Sequence, residues 1–428
     1  MGARSERTDL ATKKRIAIFA QGSRGDVQPY IALALGFARR GHDVVLAAPD
    51  DFAGWIGSFG LSYAAMGTNI QDLLKSSEIR KILAGNPFGI GKVWKSTAIP
   101  MLEKSLGTLW EVGQNADILV HHPKVIGAAD IAEVTGAPVV LASPIPMMPT
   151  SEFPIITMSH DYGKLVNKLT WLPLHWVRIF YGRQLSQWRQ QTLGLSRTYR
   201  PRNGADPFYG ADLRLIGVSK LVVPPPSDWD ENTIMTGYWT LPEDTGWRAD
   251  QRLSSFLDGG LAPIYVGFGS MPVDSPEHAT HRIVEAIESA KCRAVLSSGW
   301  AGLGDEKLPD SVMAIDNVPH DWLFPRVSGV VHHGGAGTTA AGLIAGRPTL
   351  ICPAGVDQPF WAGRVAELKC GPRPLRLKDL TAAALTDRVV ELCHSTSFVE
   401  NASALGNALS KEDGVACAVN LIEEKYCL

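Results

Sequence analysis

Residues 327–358, VSGVVHHGGAGTTAAGLIAGRPTLICPAGVDQ, constrain the fold more than any other stretch. Val327–Val331 is short, apolar and β-branched, which is the pattern of a buried strand. It runs into His332-His333 and then Gly334-Gly335-Ala336-Gly337-Thr338-Thr339. An alanine-rich run follows, apolar at Ala340, Leu343 and Ile344, and breaks at Gly346 and Pro348, so a helix is expected there. A second buried strand, Thr349–Cys352, ends at Pro353. Strand, glycine-rich turn and helix start bring free backbone N–H groups and the positive end of a helix dipole to one point, which suits a phosphate. Glycine permits close backbone approach, and Thr338 and Thr339 are placed to cap the helix and offer hydroxyls. GGAGTT lacks the G-x-G-x-x-G spacing of a dinucleotide fingerprint, and no Gly-Lys-Ser/Thr follows to make a Walker A loop. Adjacent histidines on a strand point to opposite faces, so His332 and His333 are poorly placed to chelate one metal ion.

The chain has 428 residues, enough for two domains with separate cores. Its net charge of −2 gives no reason to expect nucleic acid or an electrostatically held membrane partner. All six cysteines lie at or beyond Cys292 without C-x-x-C spacing, as packing residues in a reducing compartment would. Near the start, the apolar run Ile16–Ala20 is too short for a signal-peptide core, and no later stretch approaches a membrane span. A cytoplasmic protein with at most transient membrane contact is expected.

In chain order, Arg15–Ala20 reads as a buried strand and Gln21–Gln28 as a polar loop. Pro29 is expected to open a helix with Ile31, Leu33, Ala34, Leu35 and Phe37 on its apolar face. Asp43–Ala48 is the next strand, completing a βαβ unit whose first loop lies at the carboxyl edge of a parallel sheet, where such folds place chemistry. Ile118–His121, helix Val125–Thr135 and strand Pro138–Ala142 repeat the unit. Residues 161–195 are rich in Trp, Leu and Arg, and their apolar face either lines a cavity or covers the sheet. Consecutive prolines in Leu221–Asn232 mark a domain boundary. Asp228-Trp229-Asp230 in that linker does not follow a strand, so a metal-binding D-x-D reading is rejected. The second half restarts with strand Pro263–Phe268, helix His281–Ala290 and strands Arg293–Ser297 and Val312–Ile315, and Leu380–Lys425 reads as helices. The expected division is 1–222, a linker at 223–232, and 233–428.

HHGGAGTT, with AGVDQPFWAGRV downstream, resembles the donor-site signature of family 1 glycosyltransferases, the nucleotide-sugar enzymes of the GT-B fold. The nearest resemblance is to the sterol glucosyltransferase-like branch and its bacterial natural-product relatives. The loop GSRGDVQP is similar to that branch too, and GFGSM, SGWAGL and NVPHDWLFP resemble elements around the donor. The resemblance implies two facing Rossmann-like α/β domains with a cleft between them. It also implies a donor site containing Ser23, Arg24, Ser270, Trp300, Val318, His332, His333, Gly335, Gly337 and Thr338, with Asp357 and Gln358 on the sugar hydroxyls. Asp26 stands three residues before Pro29, where the plant branch has its histidine base, and so becomes the expected catalytic base. A helix cap or first-turn acid is the other reading of Asp26, and a solvated charge or a partner of Asp26 is the other reading of Arg24. His122 and Glu152 lie in loops that face the cleft and are acceptor-side candidates.

The implied reaction is inverting transfer of a hexose, glucose from UDP-glucose or a deoxysugar from a dTDP donor, to a hydroxyl of an apolar acceptor such as a sterol, triterpenoid, polyketide or lipid. The nucleotide sugar is a co-substrate, and no metal or other cofactor is expected. An ordinary aspartate pKa near 4 suits a base poorly, so burial against the acceptor is expected to raise that of Asp26. A UDP-sugar epimerase of the same fold, a non-catalytic nucleotide-sugar sensor and a nicotinamide oxidoreductase are the rivals.

Overall fold

The computed structural model describes residues 13–75, 90–158, 160–199, 210–241, 247–268, 276–298, 308–316 and 318–427. Continuous apolar runs bounded by glycine, proline or polar turns become strands, and the central ones are buried on both faces, as parallel sheets require. In the first half these are β1 (Arg15–Phe19), β2 (Asp43–Ala48), β3 (Ser62–Ala65), β4 (Ile118–His121), β5 (Val139–Ser143), β6 (Leu213–Ile216) and β7 (Thr233–Met235). They form one sheet in the order β3-β2-β1-β4-β5-β6-β7, and every pairing is parallel. In the second half β8 (Ile264–Gly267), β9 (Ala294–Ser297), β10 (Val312–Ile315), β11 (Gly329–His332) and β12 (Thr349–Ile351) form a parallel sheet ordered β10-β9-β8-β11-β12. In both sheets the order reverses beside the first strand of the domain, the switch point where a crevice opens at the carboxyl ends of the strands. The two α/β domains expected from the sequence are present.

The helices that matter for the site are α1 (Arg24–Arg39), α2 (Ile99–Gly113), α3 (Ala128–Thr135), α4 (Lys164–Leu169), α5 (Pro173–Phe180), α6 (Gly182–Gln191), α7 (Pro276–Ser289), α8 (Ala336–Ile344), α9 (Gln358–Glu367), α10 (Ala382–His394), α11 (Thr396–Leu409) and α12 (Gly414–Tyr426). Helix α1 begins five residues ahead of Pro29, which lies inside it. The cap explains the difference: Ser23 N–H and Oγ both reach the carboxylate of Asp26, the third helical residue, and this fixes the first turn. The buried stripe Val27, Tyr30, Ile31, Leu33, Ala34 and Phe37 then packs on the sheet.

Two elements pack across the expected division at 223–232. Strand β7 pairs with β6 and so belongs to the first sheet, although it follows the prolines. Helix α12, at the end of the chain, packs on α1 rather than on the second sheet. Gly36 makes that approach possible, since a Cβ there would lie 2.6 Å from Cγ1 of Val415. Arg40 and His42 pair with Glu423 of α12 at 2.9 and 3.0 Å. The core also runs between the domains: Phe153 sits 5.4 Å from Phe360 of α9, and Arg364 of α9 donates to the Val222 carbonyl. Within 161–195, Trp171, Leu185 and Trp188 are buried and cover the sheet, while Leu165, Ile179 and Phe180 are exposed. No helix among the described residues is long and apolar enough to cross a membrane.

Candidate functional site

Asp26 sits where β1 gives way to α1, at the carboxyl edge of the first sheet. The turn that delivers it needs a glycine: Gly22 has φ +129°, and a Cβ there would fall 2.2 Å from Oδ2 of Asp26. Oδ2 accepts from Ser23 N–H at 2.8 Å and Ser23 Oγ at 3.1 Å. The cap reading of Asp26 is therefore realised on one oxygen, and the Ser23 hydroxyl is engaged there. Oδ1 points the other way, toward Lys124 Nζ at 2.8 Å and His122 Nε2 at 3.3 Å.

Both partners come from the turn after β4, the strand beside β1. His122 N–H extends the sheet by donating to the Phe19 carbonyl. Lys124 N–H donates to His122 Nδ1 at 2.9 Å, so the proton of the neutral ring stands on Nε2, facing Asp26. That Nε2 is close to the carboxylate but off the hydrogen-bond line. Burial pushes the His122 pKa down, against the pull of Asp26, so the ring is neutral at pH 7. Tyr30 lies beneath, 5.5 Å from the His122 ring, with its hydroxyl donated to the Ala142 carbonyl.

Burial works to raise the Asp26 pKa, but the Lys124 charge and the close approach of the His122 ring outweigh it and hold the carboxyl below the ordinary carboxylate range. That is the state of the free protein, with no acceptor packed against the carboxylate. The alternative reading of Arg24 as a partner of Asp26 is not realised. Arg24 stacks on Trp55, 4.6 Å from the ring centroid, and its charge is felt by His320 in the second domain. Lys124 was missed in the sequence, although its place at the end of β4, next to β1, is the signal that finds it.

Glu152 does not join this group. It is exposed and accepts from Ser227 N–H and Oγ at 2.7 and 2.5 Å, tying the turn after β5 to the linker. Asp228 accepts from Thr150 Oγ1 and Ser151 N–H, and Asp230 pairs with Arg214, so both linker acids bind protein groups.

In the second domain β11 extends to His332, one residue beyond the expected end, and α8 begins at Ala336 with Gly335 as its N-cap. The cap is thus glycine rather than a threonine, and Thr339 Oγ1 donates back to the Gly335 carbonyl at 3.0 Å. Thr338 lies half-buried in the first helical turn, where the leading N–H groups have no intrahelical acceptor. Gly334 has φ +98°, and a Cβ there would lie 2.6 Å from Cγ2 of Ile351. A Cβ at Gly337 would meet no atom of the chain within 4 Å. His332 is wholly buried, and its Nδ1 accepts from Gly334 N–H at 3.0 Å. Its Nε2 therefore carries the proton and has no partner among the described residues. Burial lowers the His333 pKa to about 4, against an opposing pull from the Gly267 backbone. His320 is also held near 4 by burial, and its Nε2 lies 3.5 Å from the Tyr265 hydroxyl.

Asp357 and Gln358 follow β12 at the start of α9. Asp357 Oδ2 accepts from Trp361 Nε1 at 2.8 Å, and Gln358 Oε1 accepts from the Ala354 and Gly355 amides, leaving the Gln358 Nε2 donor. Burial raises the Asp357 pKa, and the charges of Asp26 and Lys124 act on it from the first domain. Val356, just before, holds a left-handed backbone (φ +58°) with its side chain exposed, a strain that accompanies functional turns. Val318 is half-buried ahead of His320, whereas Ser270 and Trp300 lie outside the described residues. No group of three or more His, Cys, Asp or Glu among the described residues is arranged to hold a metal ion. A cavity of about 360 Å³ lined by Thr68, Asn69, Asp72, Ser96, Thr97 and Lys104, among others, lies apart from both Asp26 and the glycine turn.

Residues 16–154 match the family model described as glycosyltransferase family 28 N-terminal domain, and residues 299–422 match that of the erythromycin biosynthesis protein CIII-like C-terminal domain. The sterol 3-beta-glucosyltransferase of Eremothecium gossypii is 34% identical over 97% of this chain and 34% of its own length. The chain spans about a third of the length of the curated relatives it matches. Among solved structures, the glycotransferase of kitacinnamycin superposes with a TM-score of 0.70 at 21% identity, covering 97% of this chain and 99% of the other. A Streptomyces glycosyltransferase complexed with thymidine diphosphate superposes at 0.61 and 20% identity, covering 96% and 99%.

Proposed function

The chain belongs to the glycosyltransferases of the GT-B fold, with the sterol 3-beta-glucosyltransferases among its relatives, and from that premise we propose that it transfers a hexose from a nucleotide sugar to a hydroxyl of an apolar, sterol-like acceptor, inverting the anomeric carbon. The observation that carries the reading is a pair of sites at the carboxyl ends of the two sheets: Asp26 with His122 and Lys124 after β1 and β4, and the buried His332 with the glycine turn into α8 after β11. One domain then supplies the base and the other the donor site.

In this mechanism the acceptor hydroxyl approaches Oδ1 of Asp26 and displaces Lys124, whose side chain is 53% exposed and free to swing. With the ammonium gone, burial raises the Asp26 pKa, and the carboxylate takes the proton as the oxygen attacks the anomeric carbon. His122 Nε2–H orients the carboxylate. The leaving diphosphate is received by His332 Nε2–H, by the amides at the start of α8 and by the helix dipole. Each such pre-aimed donor can supply roughly 3–4 kcal/mol in a site closed to water, and these groups stand where other enzymes use a divalent cation. Asp357 and the Gln358 amide meet the sugar hydroxyls.

UDP-glucose is our first choice of donor, and a dTDP-deoxysugar the second, supported by the thymidine diphosphate bound in the Streptomyces relative. We read the compartment as the cytoplasm, in keeping with six unpaired cysteines. Incubation with UDP- and dTDP-sugars against sterols, terpenoids and phenols, followed by mass spectrometry, tests the reading. A glycosylated sterol-like product is expected. Donor turnover without any acceptor would favour an epimerase, and donor binding without turnover would favour a sensor.

A further inference from the structure

The large exposed apolar side chains of this chain are concentrated on one short stretch. Between residues 158 and 180 lie Leu165 (75% exposed), Ile179 (72%) and Phe180 (64%), together with Leu169 and Leu172 at about half exposure. Stray exposed leucines need no explanation, but a cluster of this kind marks a surface that meets something apolar. The cluster occupies α4, α5 and the turn between them, and Trp171 anchors it from below. That ring is buried, donates Nε1–H to the Phe153 carbonyl and packs edge-on against Phe153, which in turn contacts Phe360 of α9. The patch is thus rooted in the packing beside Asp357 and Gln358.

Its charge is mostly basic, with Glu152 of the neighbouring turn within electrostatic reach of Lys164. Lys164, Lys168 and Arg183 are exposed around the apolar residues, and Asp161 is the only acidic residue between positions 158 and 183. Asp161 is exposed, and its carboxylate accepts from Gly163 N–H and Asn167 Nδ2 at 2.8 Å each. A second copy of the chain is a poor occupant, because an isologous contact would set these lysines against one another. Leucine, isoleucine and phenylalanine ringed by basic residues, on short helices too small to cross a bilayer, fit an anionic membrane surface.

We propose that α4 and α5 form a monotopic docking surface for a bilayer carrying anionic lipid, with Leu165, Ile179 and Phe180 entering the headgroup boundary and Lys164 and Lys168 meeting the lipid charge. Binding of this kind does not depend on turnover, so its failure and the failure of the catalytic reading are separable. Flotation of the full chain with vesicles of phosphatidylcholine, alone or mixed with phosphatidylglycerol, provides the test. Wild type should float with the mixed vesicles and be released by salt. Leu165→Gln, Ile179→Gln and Phe180→Gln combined should lower binding at least about tenfold. Lys164→Glu with Lys168→Glu should lower it by a similar factor, on mixed vesicles only. Absence of wild-type binding to either vesicle overturns the proposal, as does undiminished binding of both variants. A dimer that the triple substitution dissolves, without vesicle binding, also overturns it and assigns the patch to self-association.

Discussion

At Asp26 the two carboxylate oxygens are divided between fold and chemistry, Oδ2 held by Ser23 and Oδ1 facing His122 and Lys124. Asparagine can keep the cap on its carbonyl oxygen, but it then offers Nδ2 to two donors and cannot take a proton. Asp26→Asn should therefore preserve fold and donor binding while cutting transfer roughly 10²–10⁴-fold, measured with both substrates saturating. A rate near wild type would remove Asp26 from the mechanism and leave it a helix cap. The pH dependence has a definite sign. A depressed pKa keeps Asp26 ionised across neutral pH, and its stabilising contribution is lost only as pH falls through the folded value, below the unfolded one near 4. The acid limb of kcat/KM should accordingly lie low in wild type. Lys124→Met removes the charge that depresses the pKa and leaves the burial that raises it, so the limb should move to higher pH. An unmoved limb would mean that Lys124 does not act on the base.

At the scale of elements, the β11–turn–α8 unit holds its amides in place through one backbone conformation. Gly334 occupies the left-handed region, with Ile351 and Gln358 already at van der Waals limits around it. Alanine there costs roughly 1–2 kcal/mol for the backbone alone and must also push β12 or α9 aside. Gly334→Ala should lower affinity for UDP or dTDP at least about tenfold by calorimetry, and more than Thr338→Val does. Equal affinities for both variants and wild type would mean that the diphosphate lies elsewhere. This unit was legible because buried parallel strands are continuous apolar runs, and a turn of such tight approach can only be glycine. The start of α1 was not read correctly, because Pro29 looks like a first helical residue while the cap rests on Ser23 and Asp26 upstream. Glu152 was assigned to the cleft because a hydrogen bond to Ser227, 75 positions away, leaves no local trace. The three-residue β7 was hidden for the same reason, since an edge strand so short takes its identity from β6.

Across the whole molecule, the chain crosses between the domains after β7 and returns through the turn ahead of α12, and no composition shift announces the return. Sequence periodicity identifies α12 as a helix but says nothing of which sheet it serves. That is decided by a packing contact, Val415 and Val419 against the bare backbone of Gly36 on α1. Helix α1 carries Asp26 at its other end, so α12 braces the element that presents the proposed base while its own chain comes from the second domain. A side chain at Gly36 should act as a wedge. Gly36→Val is expected to cost about 1–3 kcal/mol, the usual range for overpacking, and to lower Tm by several degrees. Glu423→Ala, which frees partly exposed Arg40 and buried His42, should cost less, about 1 kcal/mol. If α12 also fixes the height of α1 in the cleft, Gly36→Val should lower kcat at temperatures where the protein is still folded, with little change in affinity for the nucleotide, whose proposed diphosphate site lies on α8. Scanning calorimetry and nucleotide titration on the same sample separate the two effects. A wild-type Tm in Gly36→Val would show that α12 is held loosely and that the domains are not stapled through α1.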